Sequence, residues 1–204
     1  MMLPTHALVG LALAAPLAFL VPGVSPELGA AALLGALVGS VLPDLDMYAG
    51  HRRTLHFPTL YPLAAVPAVA AAVVAPTSAT VAIAAGLLGA AVHCRMDVYG
   101  GGLELRPWEG TSERAVYDHV AGEWCAPKRW IRYDGSPGDF ALAASLGVPL
   151  FVVLDGPFAA VAALAVAVAG VYAALRRRLT NLAPTVFGAV PDPLRAYVPD
   201  RYRS

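Results

Sequence analysis

Charged side chains are scarce in this chain of 204 residues. They make up 14% of the residues, whereas a typical soluble domain has roughly 25%. Hydrophobic residues make up 58%, and the mean hydropathy is +0.63, which excludes the disordered class of low hydrophobicity and high charge. The chain also has no excess of positive or negative charge, because 14 Lys and Arg balance 14 Asp and Glu. We therefore expect no nucleic-acid partner, and the apolar excess indicates a membrane protein.

Cysteine is scarce as well, and so is positive charge near the beginning of the chain. Cys94 and Cys125 are too few for a disulfide framework, and we interpret both as reduced thiols without a catalytic role. No Lys or Arg precedes the first apolar segment. That segment therefore lacks the basic region of a secretory signal peptide, and we expect it to be retained.

Long apolar segments separated by short turns rich in Pro and Gly predict helices. The predicted helices cover residues 5–21, 28–42, 57–75, 79–98, 138–154 and 157–175. The predicted fold class is an all-α integral membrane protein with about six transmembrane helices and a cytoplasmic-side interfacial segment. A helix of ~17 residues reaches only about 25 Å, less than the ~30 Å hydrocarbon core, so the shorter helices would need a thinned bilayer or shielding by neighbours.

The distribution of polar residues divides the chain into four parts. These are a membrane-embedded core that contains the candidate site residues named below (1–110), an interfacial amphipathic segment (111–137), a C-terminal helical hairpin (138–178) and a polar cytoplasmic tail (179–204). All three tryptophans lie within residues 99–137, and tryptophan favours the membrane interface. Residues 111–124 are predicted to form a short amphipathic helix, capped by Thr111 or Ser112.

The distribution of basic residues predicts the orientation. If six helices cross in turn, the turns near residues 22–27, 76–78 and 155–157 share one side of the membrane, and they contain no Lys or Arg. All 14 basic residues then lie on the other side or at helix ends that face it. The positive-inside rule makes that side cytoplasmic. The predicted localisation is the cytoplasmic (inner) membrane, with several spans and both termini in the cytoplasm.

The same threading brings histidines and aspartates to the cytoplasmic side. Four segments contribute candidate metal ligands, namely His6, Asp44 with Asp46, His51 with His56, and His93 with Asp97. Clustered carboxylates raise each other's pKa, and a divalent cation removes that cost. Imidazole together with carboxylate suits Zn, Mn or Fe, and carboxylate also suits Mg. The sequence therefore predicts a site for one or two divalent metal ions.

Such a site fits three functions. The first is a membrane-bound metal-dependent hydrolase in which Asp44 belongs to the catalytic centre and Arg52 stabilises negative charge on a phosphoryl or acyl oxygen. Its substrate would be a phosphoester or ester of an amphiphilic or lipid-linked molecule, reached from the lipid bilayer. The second is a metal or proton transporter, which the almost purely apolar opposite ends of the helices disfavour. The third is a non-catalytic membrane-anchored interaction protein.

Four short motifs follow one another in the first half of the chain. They are Thr5-His6 with Gly10, Leu42-Pro43-Asp44-Leu45-Asp46, His51-Arg52 with Leu55-His56, and His93 with Asp97. Their order and spacing resemble the YdjM-like family, described as inner-membrane-associated metal-dependent hydrolases, some of them linked to LexA regulation. The resemblance covers about residues 1–110. It implies a fold of membrane helices, metal-assisted hydrolysis, and a polar site formed by the seven His and Asp residues with Arg52 beside them.

Two positions depart from the family pattern. Phe57 follows the second loop histidine, where the family usually has Ser or Thr. After the aspartate of the fourth helix, Tyr99 and three glycines stand where the family usually has Thr. Both departures remove hydroxyl groups that would orient the ligands.

Overall fold

The computed structural model describes residues 1–19, 21–198 and Tyr202, and it is mostly helical. Its helices are α1 (Leu3–Phe19), α2 (Pro26–Val41), α3 (Leu60–Val74), α4 (Ser78–Tyr99), α5 (Pro137–Val153) and α6 (Gly156–Gly188). Two strands, β1 (Val116–Asp118) and β2 (Glu123–Cys125), and two 3₁₀ helices, Leu42–Tyr48 and Asp192–Tyr197, complete it. The prediction of a helix in each of these six regions is confirmed.

The lengths of the helices separate them into two groups. Three segments of the described chain are long and apolar enough to cross a membrane: Pro26–Tyr48, Ser78–Tyr99 and Gly156–Gly188. Helices α1, α3 and α5 are apolar but shorter, with 17, 15 and 17 residues. These three helices reach about 23–26 Å at 1.5 Å per residue. The chain is thus suited to membrane association, while the number of six spans stays a prediction.

The helices pack against one another in a defined order. Helix α2 contacts α1 on one side and α4 on the other, α3 packs on α4, and the α5–α6 hairpin contacts α1. The backbones of α2 and α4 approach very closely. A Cβ atom added at Gly39 would lie 1.9 Å from the carbonyl oxygen of Gly86, so only a residue without a side chain fits there. This close approach brings the polar residues that follow α2 next to the end of α4.

Large apolar side chains cover the outer faces of the helices. On α3, Val66 is 70% and Val74 85% exposed, and on α6 Leu164 is 64% exposed. Exposed apolar surface of this extent is unusual for a monomeric soluble protein. It fits helices whose outer faces contact lipid.

The short amphipathic helix predicted over residues 111–124 is wrong. Instead, β1 and β2 form an antiparallel pair in which Val116 lies opposite Cys125 and Tyr117 opposite Trp124. Such β-branched and aromatic residues favour strands. The turn is stabilised by Asp118, whose Oδ1 accepts hydrogen bonds from the amides of Val120 and Ala121.

Helix α6 continues further than predicted. The expected hairpin ended at residue 178 and a polar tail followed, but the helix extends to Gly188. Within it, Arg176 does not point into solvent. It is only 4% exposed and forms an ion pair with Asp134, with Nε 3.1 Å from Oδ2. The next turns also pack against the protein, because Thr180 and Ala183 are buried, and this packing favours the longer helix.

Candidate metal centre

Four side chains from three segments meet at one end of the helices. They are Asp44 in the 3₁₀ helix after α2, His56 in the following loop, and His93 and Asp97 in the last turns of α4. Each offers one ligand atom, and these atoms lie within 4.8 Å of one another. We call these four residues the metal group. His56, His93 and Asp97 are fully buried, while the side chain of Asp44 is 17% exposed.

The backbone of α2 fixes the ring of His93. Its Nδ1 lies 2.7 Å from the carbonyl oxygen of Ser40. Since a carbonyl oxygen can only accept, Nδ1 carries the hydrogen and donates it. In its neutral form the ring then has its lone pair on Nε2, which points into the metal group.

A carboxylate fixes the ring of His56 in the same way. Its Nδ1 lies 2.9 Å from Asp46 Oδ2 and donates to it. Asp46 also accepts hydrogen bonds from the amides of Arg52 and Leu55 and lies 3.0 Å from His51 Nδ1. Asp46 therefore holds the loop together and orients His56. A carboxylate behind a histidine is the usual partner of a metal-binding imidazole.

The two oriented histidines place electron-rich atoms close together. His56 Nε2 and His93 Nε2 are 3.2 Å apart. Asp97 Oδ2 lies 3.4 and 3.5 Å from these nitrogens, and Asp44 Oδ1 lies 3.9 and 3.5 Å from them. The donors of a tetrahedral ion with bonds of about 2.0–2.2 Å are separated by about 3.3–3.6 Å. The donor set fits a divalent first-row metal ion in type. Four of its separations, between 3.2 and 3.5 Å, are close to this range, whereas the separation of 3.9 Å between Asp44 and His56 is wider.

The other oxygen of Asp97 faces cations and a histidine. Asp97 Oδ1 lies 2.5 Å from the amino nitrogen of Met1, 3.1 Å from His6 Nε2 and 3.3 Å from Arg52 Nη2. Oδ2 is 3.2 Å from Arg52 Nε, but within the described residues it accepts no hydrogen bond. Asp97 is thus anchored through Oδ1, and Oδ2 is left for the metal group.

Arg52 is held rigidly beside Asp97. Its guanidinium donates to the carbonyl oxygen of Gly101 at 2.7 Å. Its backbone has a φ of 60°, a left-handed conformation that costs a non-glycine residue roughly 1–2 kcal/mol. The amide of Tyr117 in β1 donates to the carbonyl oxygen of Arg52 at 3.0 Å and helps to hold this conformation. The hairpin therefore supports the site.

The remaining predicted ligands lie around the metal group. His6 stacks on His93 with ring centroids 3.7 Å apart, and Asp46 and His51 lie behind His56, on the side away from its Nε2. These positions favour orienting roles, and their role as direct ligands stays a prediction. Phe57 packs against the rings of Tyr61 and His119. It thereby gives the loop an apolar cover where the family pattern has a hydroxyl.

A cavity of about 490 Å³ adjoins the metal group. Asp44, His51 and Arg52 form one part of its wall, and apolar residues of α1, the 3₁₀ helix and α6 form much of the rest. Asp44 belongs both to the metal group and to this wall, so the site is reached from the cavity at Asp44.

Comparison with known proteins identifies no relative of this chain. No family model, no curated protein and no solved structure matches the chain. The resemblance to the YdjM-like family therefore remains an expectation that rests on the residues quoted above.

Proposed function

We propose that this chain is a membrane-bound metal-dependent hydrolase whose site lies at the cytoplasmic face of the inner membrane. The proposal includes six spans and both termini in the cytoplasm. One observation carries it: the Nε2 atoms of His56 and His93, two rings that are each held through Nδ1, face each other at 3.2 Å beside two carboxylates. Lone pairs at this distance repel unless a cation lies among them.

A divalent metal ion satisfies this group better than a proton does. A proton shared by His56 and His93 bridges two atoms and still leaves the buried Asp97 Oδ2 without a hydrogen bond. Arg52 Nε lies 3.2 Å from this oxygen without donating to it, and a buried carboxylate oxygen without a hydrogen bond is costly. One divalent ion held by His56, His93 and Asp97 would leave a position open for water beside Asp44, and its charge would balance both carboxylates.

The surrounding residues suit hydrolysis of an ester. A divalent ion bound here would act as a Lewis acid and make water a stronger nucleophile at neutral pH. Asp44 lies at the cavity wall, where it can accept a proton from an incoming water molecule. Arg52 lines the same wall, and its cationic guanidinium favours a phosphoryl or acyl oxygen that gains negative charge. The fixed rings of His56 and His93 keep the geometry constant.

The position of the site supports an amphiphilic substrate. The metal group lies at the end of two segments that are long enough to cross a membrane, Pro26–Tyr48 and Ser78–Tyr99. A substrate that is partly dissolved in the bilayer would reach this depth without leaving the lipid. We propose a phosphoester or ester of such an amphiphile.

A turnover screen tests this function. The purified chain is incubated in detergent with Zn, Mn, Fe or Mg and a set of phosphoesters and carboxylic esters. We expect metal-dependent turnover by the wild type and by Glu123→Gln, which changes an exposed carboxylate of the hairpin, but none by Asp44→Asn. Ion flux in proteoliposomes that requires Asp44, without any turnover, would instead establish the transporter.

A further inference from the structure

The cavity beside the metal group continues into an apolar cleft along the outside of the helices. Helix α1 forms the floor of this cleft, and α2 and α6 form its walls. Leu3, Pro4, Val41 and Val168 line both the cavity and the cleft. From there the cleft extends along α2 to Leu37 and along α6 to Val161. The polar site is therefore connected to a surface groove that lipid can reach.

The cavity and the groove together match one half of a bilayer in length. Between Tyr172 in the cavity wall and Val161 at the far end of the groove, α6 rises through 11 residues, or about 16 Å. Half of the hydrocarbon core is about 15 Å. The cavity and the groove thus have together the depth of one leaflet.

The wall residues of the groove face outward. Leu164 is 64% and Val168 46% exposed, whereas Ala7 and Ala165 on its floor and wall are 8% exposed. Small residues between larger ones leave a depression into which a flexible chain can fit. The cleft opens sideways, and a lipid would not have to leave the membrane to fill it.

The charges at the cavity end favour a negative headgroup. Asp134 lines the cavity, but its charge is matched by Arg176, with Nε 3.1 Å from Oδ2. Arg52 pairs with Asp97. If a divalent ion occupies the metal group, its charge offsets those of Asp44 and Asp97, so that Arg52 in the cavity wall is left as a cation for the headgroup.

We propose that the substrate is a membrane lipid with an anionic phosphoester headgroup. Its headgroup lies at Asp44, His51 and Arg52, and one apolar chain lies in the cleft between α2 and α6. This inference rests on the proposed function, because the bound cation contributes to the attraction of the headgroup.

Photolabelling tests the position of the chain. The probe is a long-chain alkyl phosphonate with a diazirine near the end of its chain, because a phosphonate is not an ester and resists hydrolysis. We expect mass spectrometry to find the label in α1 and α6 along the cleft. Val168→Trp and Leu164→Trp, which fill the cleft, should each lower this labelling at least about fivefold. Val152→Trp changes a residue on α5 that is 76% exposed and outside the cleft, so it should leave the labelling unchanged.

The alternative outcomes are distinct. Equal labelling in all three tryptophan variants, or labelling spread over the exposed face of α3, would contradict the placement of the lipid chain in the cleft. Equal labelling by the alcohol of the same chain length would overturn the anionic headgroup. The metal content of the same samples separates this inference from the proposed function. If the protein contains no metal but is labelled in the cleft, only the proposed hydrolase function is refuted. If the protein contains metal but is not labelled in the cleft, only the proposed position of the lipid is refuted.

Discussion

Two buried polar clusters lie close together beside the first turns of α1, and they differ in how their charges are satisfied. One is the metal group. The other contains Asp134 and Asp139, at and just before the beginning of α5. Asp139 is fully buried and accepts hydrogen bonds from the Thr5 hydroxyl at 2.7 Å and from the amides of Met2 and Gly135 at 2.9 and 3.1 Å. Asp134 pairs with Arg176 and accepts from the Tyr172 hydroxyl at 2.6 Å.

The comparison distinguishes a structural cluster from a binding site. In the Asp134–Asp139 cluster, each carboxylate has donors supplied by the chain itself, as buried polar groups in stable proteins normally do. In the metal group, two histidine nitrogens 3.2 Å apart and a carboxylate oxygen without a hydrogen bond face one another. Of these two clusters, only the metal group therefore offers donor atoms that could hold a cation from outside. The predictions below separate the two clusters, beginning with the largest expected effect.

His93→Ala should remove metal binding. The substitution deletes a donor that the Ser40 carbonyl holds in place, and we expect the metal affinity to fall more than about hundredfold, beyond the loss usual for an orienting residue. Glu123→Ala is the control, because this carboxylate lies at an exposed position of the hairpin. Metal titration of both variants checks the prediction, and equal affinity in the two would contradict it.

Arg176→Ala should destabilise the fold without removing the metal. It leaves Asp134 without its counter-ion, and breaking a buried ion pair costs about 3–5 kcal/mol. Thermal unfolding and metal content are measured on the same samples. Arg178→Ala, an exposed neighbour on α6, should change neither. Loss of the metal in a folded Arg176→Ala protein would show that the two clusters are not independent.

Asp46→Asn should weaken the metal site without abolishing it. The amide still contacts His56, but it cannot hold the ring and the loop amides as a carboxylate does. Removal of such an orienting partner typically lowers metal affinity by about 10–100-fold, or about 1.4–2.7 kcal/mol. Competition with a chelator measures this difference, with the exposed Asp192→Asn as control. A loss as large as in His93→Ala would make Asp46 a direct ligand, as the sequence predicted.

Thr59→Val should have the smallest effect, because it concerns an exposed carboxylate. The Thr59 hydroxyl donates to Asp118 Oδ2 at 2.6 Å and holds the pKa of that carboxyl below its ordinary value of 3.8. A carboxyl with a lowered pKa in the folded state adds stability above its ordinary pKa, and this is lost as the pH falls below it. Thr59→Val should therefore flatten the acid side of the stability profile slightly. An unchanged profile would show that the hydrogen bond between Thr59 and Asp118 does not stabilise the fold. A loss of stability as large as that of Arg176→Ala would contradict the expectation that a buried ion pair contributes more than an exposed carboxylate.

The helices were predictable because apolar runs and Pro- and Gly-containing turns are local signals. The hairpin was not, since its stability depends on pairing between β1 and β2 and on the contact of Tyr117 with Arg52. The end of α6 was also missed. There, the partner that neutralises Arg176 is Asp134, 42 residues earlier in the chain, and no local pattern announces such a pair.

The site was predictable in its residue types but not in its arrangement. Spacing along the helices placed His93 and Asp97 on one face and brought the loop residues to the same end. Which ring nitrogen points inward depends on the Ser40 carbonyl and on Asp46. Every residue has a backbone carbonyl, so the sequence does not show which one contacts His93. The seven predicted ligands could therefore not be divided into the metal group and the residues that surround it.

Metal content tests the central claim most directly. The wild-type chain is purified in detergent without chelator and subjected to elemental analysis by mass spectrometry, together with Asp44→Asn and His93→Ala. The account predicts about one divalent metal ion per wild-type chain and a loss of this ion in both variants. A wild-type chain that is free of metal, and that stays so after incubation with Zn, Mn, Fe and Mg, would contradict it.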